Sequence, residues 1–124
     1  MDKKNIIVLE DDMGIRELLK SELENTGYNV EIIDDTMTLL DVVTANRPDL
    51  IMMDVSMPGM DGITLCHQLK NMPGLNNIPV IIMTAFTDKK TEDDARLFGA
   101  DDFILKPFSI IDVKAKIKNF LTKD

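Results

Sequence analysis

Short apolar runs recur along this chain with just enough residues between them to form a helix. They stand at Ile6–Leu9, Val30–Ile33, Leu50–Met53, Val80–Met83 and Phe103–Leu105. Their length and their Ile, Val and Leu content suit strands buried on both faces. The intervening stretches have helical period. Ile15, Leu18, Leu19 and Leu23 share one face, as do Leu39, Leu40 and Val43, and Leu65, Cys66 and Leu69. The last stretch repeats the pattern at Ile110, Val113, Ile117 and Leu121. Between Thr91 and Phe98 only Ala95 and Phe98 fall clearly on one side, which predicts a short, mobile helix.

Punctuation agrees with these limits. Gly27 follows the first helical stretch, Gly99 closes the fourth, and Pro48 and Pro79 stand just before strands. Ser109 is placed to cap the final helix. Strands alternating with helices require right-handed crossovers and a parallel sheet covered on both faces. The expectation is therefore an α/β fold with a doubly wound, five-stranded parallel sheet of order 2-1-3-4-5, formed by residues 1–124 as one domain. In such a sheet, function sits at the carboxyl ends of the strands, near the switch point between the first and third.

Charge narrows the function further. Against 14 Lys and Arg stand 22 Asp and Glu, so the net charge is -8 and the pI about 4.5. Such a field repels nucleic-acid phosphates and suits cations and partner proteins. A single cysteine, Cys66, excludes an internal disulfide and a Cys-based zinc site, and fits a reducing cytoplasm. The polar start MDKKN shows no signal peptide, and the apolar runs are too short to span a bilayer.

Just past each apolar run the chain carries chemistry. Glu10, Asp11 and Asp12 follow the first strand; Asp54 ends the third and Thr84 the fourth; Lys106 and Pro107 follow the fifth. Asp34 and Asp35 end the second strand, which this order places at the sheet's edge. One rim thus gathers several carboxylates, a hydroxyl and an ammonium. Unit charges about 4 Å apart interact by about 4 kcal/mol at an effective dielectric near 20, so the carboxylates need protons or a cation. Mg²⁺, which takes oxygen ligands and commonly pairs one or two carboxylates with a phosphate, is the simplest remedy. Asp54, fixed between Met53 and Val55 on a central strand, is the carboxylate placed to attack phosphorus. Lys106 meets the phosphoryl oxygens as a point charge, Thr84 donates its hydroxyl, and Pro58-Gly59 turns the chain away from the site.

The segments VLEDD, PDLIMMDVSMPGMDG, VIIMTA and GADDFILKPF resemble, in order and at the usual spacing, the four signature blocks of bacterial response-regulator receiver domains. The resemblance spans the chain and implies a flavodoxin-like (βα)5 fold that accepts a phosphoryl group from a histidine kinase or phosphotransfer protein. It implies Mg²⁺ (or Mn²⁺) as cofactor, with Asp11 a direct ligand, Glu10 acting through water, and the Ser56 carbonyl and Asp54 completing the site. Asp54 is then the phosphoacceptor, Thr84 and Lys106 contact the phosphoryl group, Lys106–Pro107 is a cis peptide, and Phe103 is the switch aromatic. Two departures stand out: the acidic pair is Glu-Asp where many members have Asp-Asp, and Phe at the switch position lacks the hydroxyl of Tyr.

Blander readings account for other residues. Asp12 is suited to a helix start, Cys66 and the strand residues Met52, Met53 and Met83 to core filling, and lone His67 to a surface or partly buried position. Asp88, Glu92, Asp93 and Asp94 read as a solvated face. Taken alone, Phe103 is ordinary core. A phosphohydrolase with an aspartyl nucleophile carries Asp-x-Asp after its first strand, unlike Asp54-Val55-Ser56 after the third. A flavin carrier needs a phosphate loop where this chain has Glu10-Asp11-Asp12, which would repel it. A degenerate receiver acting only as an interaction module would lack part of the site. The resemblance further implies no enzyme activity beyond the domain's own phosphotransfer and dephosphorylation, and a signal leaving through the fourth helix, fifth strand and fifth helix. That surface serves dimerisation in winged-helix regulators. Here Asp101, Asp102, Lys116 and Lys123 offer charge pairs, while Glu92 and Asp112 share a sign.

Overall fold

Each apolar run becomes a strand of one parallel sheet. A computed structural model describes residues 3–55, 62–84, 93, 96 and 99–121. The strands are β1 (Asn5–Leu9), β2 (Asn29–Ile33), β3 (Leu50–Asp54), β4 (Val80–Thr84) and β5 (Asp102–Leu105). They pair in the order β2-β1-β3-β4-β5, as the alternation of strand and helix predicts. Helices α1 (Met13–Thr26), α2 (Thr36–Ala45) and α3 (Gly62–Lys70) lie in the crossovers, and a C-terminal helix (Ile110–Leu121) follows β5.

The two-residue period of the strands sorts the core into two layers. Ile7, Leu9, Ile51, Met53, Val80 and Ile82 meet Leu39 and Val43 of α2 and Leu65, Cys66 and Leu69 of α3. Ile6, Val8, Leu50, Met52, Ile81 and Met83 meet Leu19 and Leu23 of α1 and Val113, Ile117 and Leu121 of the C-terminal helix. Helices thus cover both faces, and β3 and β4 are buried at every position. The methionines at 52, 53 and 83 are fully buried core, as is Cys66, while His67 is exposed. One expected core residue is not: Leu18 is 43% exposed, because the buried stripe of α1 follows the four-residue spacing Ile15, Leu19, Leu23 and leaves Leu18 beside it. Of the fourth helical stretch, Asp93 and Arg96 are helical and exposed, whereas Ala95, Phe98, Asp88, Glu92 and Asp94 lie outside the described residues.

Local chemistry sets the helix limits. Asp12 Oδ1 accepts from the Ile15 amide at 2.9 Å, so Asp12 is the N-cap of α1. Ser109 Oγ accepts from the Ile111 amide at 3.2 Å at the start of the C-terminal helix. Gly27 ends α1 at φ 111°, a conformation that costs a residue with a Cβ about 1–2 kcal/mol. Gly99 has φ 104° and also lies against the stem of Lys70, whose Cγ a Cβ would meet at 2.8 Å. That stem is pinned, since Lys70 Nζ donates to Ile78 O and Asp101 Oδ2, both at 2.7 Å, while the Val80 amide donates to the same Asp101 oxygen at 2.8 Å. In urea denaturation, Gly27→Ala is expected to lose about 1 kcal/mol of stability and Gly99→Ala clearly more. Equal losses would show that Lys70 yields freely.

Candidate functional site

Parallel pairing brings the carboxyl ends of β1, β3, β4 and β5 to one rim. The register aligns Leu9 with Met53, Asp54 with Met83 and Thr84 with Leu105. Ladder bonds continue one residue past the strands: the Glu10 amide donates to Ile33 O at 3.0 Å, Val55 to Met83 O at 3.2 Å and Lys106 to Thr84 O at 2.8 Å. Backbone thereby fixes the direction in which Glu10 and Lys106 leave the sheet. Asp54 and Thr84 are the last residues of their strands, and with Glu10 they are the polar side chains buried among the described residues.

Lys106 joins them. Its Nζ donates to Glu10 Oε1 at 3.0 Å, Glu10 Oε2 at 3.2 Å and Asp54 Oδ2 at 2.9 Å. These charge-assisted bonds outweigh the burial that would depress the lysine, and its pKa is raised. Carboxylate oxygens of Glu10, Asp11 and Asp54 lie within 4.8 Å of one another, with Asp11 exposed at the mouth. An all-oxygen donor set of this kind fits a hard divalent cation such as Mg²⁺. Burial first, then the hydrogen bond and charge of Asp54, push the Glu10 carboxyl up to about 7 against the pull of Lys106.

Other acidic residues are sorted away from this cluster. Asp12 caps α1, Asp34 pairs with Arg16 at 3.5 Å, and Asp35 caps α2 through the Met37 amide and the Thr38 hydroxyl. Those two bonds, the hydroxyl's foremost, hold the Asp35 carboxyl below its ordinary value. Lys106–Pro107 is cis. Ser56 lies outside the described residues, as do Pro58 and Gly59. Phe103 is half-buried opposite Ile82, on the same sheet face as Thr84 two residues further along β4. Two contacts had no signature in the sequence: the grip of Lys106 on Glu10, and the Arg96 guanidinium 4.5 Å from the Phe103 ring centroid. Of the charges suited to a dimer, Asp101 pairs in-chain with Lys70 and Asp102 with Lys116, while Lys123 and Glu92 lie outside the described residues.

Residues 6–118 match the family model of the response regulator receiver domain. The chain belongs to that family. Response regulator MprA of Mycobacterium sp. (strain KMS) is 37% identical over 119 residues, which cover 95% of this chain and 50% of the relative. The receiver thus spans about half the length of the curated relatives it matches. Among solved structures, the receiver domain of a signal transduction histidine kinase from Syntrophus aciditrophicus is 39% identical with TM-score 0.88, covering 96% of this chain and 90% of that one. A putative response regulator from Chloroflexus aurantiacus J-10-fl is 29% identical with TM-score 0.91, covering 98% and 100%. The receiver therefore has the flavodoxin-like fold of a two-component signalling domain. No helix among its described residues is long and apolar enough to cross a membrane.

The raised Glu10 carboxyl fixes a sign for metal-free stability. Below about pH 4.5 folded and unfolded chains both hold the proton, and no penalty arises. Between 4.5 and about 7 only the fold retains it, so stability falls as pH rises; above that the penalty is constant. In EDTA, unfolding free energy is expected to drop by on the order of 2 kcal/mol from pH 5 to 8. Glu10→Gln is expected to flatten the profile. A flat wild-type profile would contradict the buried-proton reading.

Proposed function

We propose that this receiver, with residues 1–124 acting as one domain in the cytoplasm, accepts a phosphoryl group on Asp54 and uses it as a signal. The observation that carries the reading is Lys106 Nζ, 2.9 Å from Asp54 Oδ2 at a buried strand end. The donor is a histidine kinase or phosphotransfer protein, or a small acyl phosphate. Asp11, Asp54 and the Ser56 carbonyl, with Glu10 through water, are the residues suited to hold Mg²⁺ (or Mn²⁺), which supplies charge neutralisation when bound.

An Asp54 carboxylate oxygen forms the bond to phosphorus, and the bond from phosphorus to the donor's leaving atom breaks. Lys106 already points at this oxygen and exchanges a carboxylate partner for a phosphoryl oxygen without leaving its place. Thr84, buried at the end of β4, donates its hydroxyl to another phosphoryl oxygen. Its displacement toward phosphorus vacates space on the sheet face shared with Phe103, which moves inward by packing alone. The surface so altered includes β5 and the C-terminal helix, where Leu105 and Ile111 are exposed, and it serves an output domain, a partner or a second copy of the receiver. Catalysis is confined to the domain's own phosphotransfer and dephosphorylation.

Incubation with acetyl phosphate and Mg²⁺ tests this by intact mass. Wild type is expected to gain one phosphoryl group, and neither Asp54→Ala nor wild type in EDTA to gain any. Lys106→Ala is expected to slow labelling by about 100-fold or more. An unchanged wild-type mass, or equal labelling of Asp54→Ala, would overturn the assignment.

A further inference from the structure

Phe103 is a switch position without a hydroxyl, yet its ring is not held by core packing alone. The Arg96 guanidinium lies 4.5 Å from the ring centroid, within the range of a cation–π contact. Arg96 is exposed and Phe103 half-buried, so the contact joins an exposed cation to a ring at the edge of the core. Phe103 also packs against the cluster that contains Ile82 and Met53. We propose that Arg96 is a positioning residue that holds the Phe103 ring in this half-buried position through this contact and so sets the threshold for switching.

The inference rests on the phosphoacceptor reading, because only a Thr84 movement gives the ring a reason to turn. Its chemistry is separate from the acidic rim. A ring that moves deeper toward Thr84 leaves a cation held on the exposed side, so the contact is present in one state and absent in the other. A ligand that favours the inward state must work against that difference. Methionine at position 96 keeps helix propensity and apolar bulk but removes the charge; lysine restores a cation.

Beryllofluoride with Mg²⁺, a phosphoryl mimic, provides the probe, with binding followed by amide shifts at Asp54 and Thr84 and by labelled Phe103 ring signals. In the free protein, Arg96 side-chain protons are expected to be shifted upfield by the ring, and Phe103→Leu to abolish that shift. Arg96→Met is expected to bind beryllofluoride about two- to five-fold more tightly, with Phe103 more inward at equal occupancy. Arg96→Lys is expected to restore most of the wild-type affinity. Equal or weaker binding by Arg96→Met, or an absent ring shift in wild type, overturns the role of Arg96. Failure of wild type itself to respond at Asp54 overturns the phosphoacceptor reading instead, so the two failures are distinguishable.

Discussion

One ammonium group, Lys106 Nζ, touches both buried carboxylates of the rim. Each contact at about 3 Å is worth roughly 5 kcal/mol of attraction at an effective dielectric near 20, before the cost of desolvation. Glu10, Asp11 and Asp54 together outnumber it, so the cluster keeps two unbalanced charges when every group is ionised. The metal-free fold answers with a proton on the Glu10 side; a bound divalent cation would release that proton. A site with this excess of negative charge attracts cations and disfavours any state in which Lys106 is lost.

The sheet turns this local electrostatics into a mechanical arrangement. Because all five strands run parallel, their carboxyl ends share one rim, and residues distant in sequence meet there without a long loop to order. Burial of β3 and β4 at every position fixes the backbone from which Asp54 and Thr84 project. The same pairing sets Phe103 on the face of Thr84, opposite Ile82 and two residues back along the neighbouring strand. Chemistry at the rim and packing at the edge of the sheet are therefore linked through two adjacent strands. The clasp of Lys70, Asp101 and the Val80 amide holds the opposite end of this pair of strands.

Most of this fold was legible from period alone. Runs such as Leu50–Met53 and Val80–Met83 are apolar throughout because both faces of the strand are buried, and that condition nearly defines a covered parallel sheet. Asp54, Thr84 and Lys106 stood out because strand ends are where such a sheet places function. What stayed hidden was side-chain geometry. Asp12 was readable as a helix start from its place before α1, but nothing in Glu10-Asp11 says that the first is fully buried and the second exposed; the ladder bond from Glu10 to Ile33 and the turn into α1 decide it. Leu18 was misplaced because adjacent helix positions differ by about 100°, and neither residue type nor spacing separates Leu18 from Leu19. Arg96 and Phe103 meet across a turn at Gly99, a contact with no periodic signature.

Reductive trapping reads the bond itself. Borohydride converts an aspartyl phosphate to homoserine, and peptide mass mapping after acetyl phosphate and Mg²⁺ treatment identifies the residue attacked. Homoserine at position 54 is the expected result, absent when Asp54 is replaced by Ala. Homoserine at Asp11, Asp12 or another carboxylate, or none at all in a protein that has gained a phosphoryl group, would contradict the role assigned to Asp54 and to the lysine that faces it.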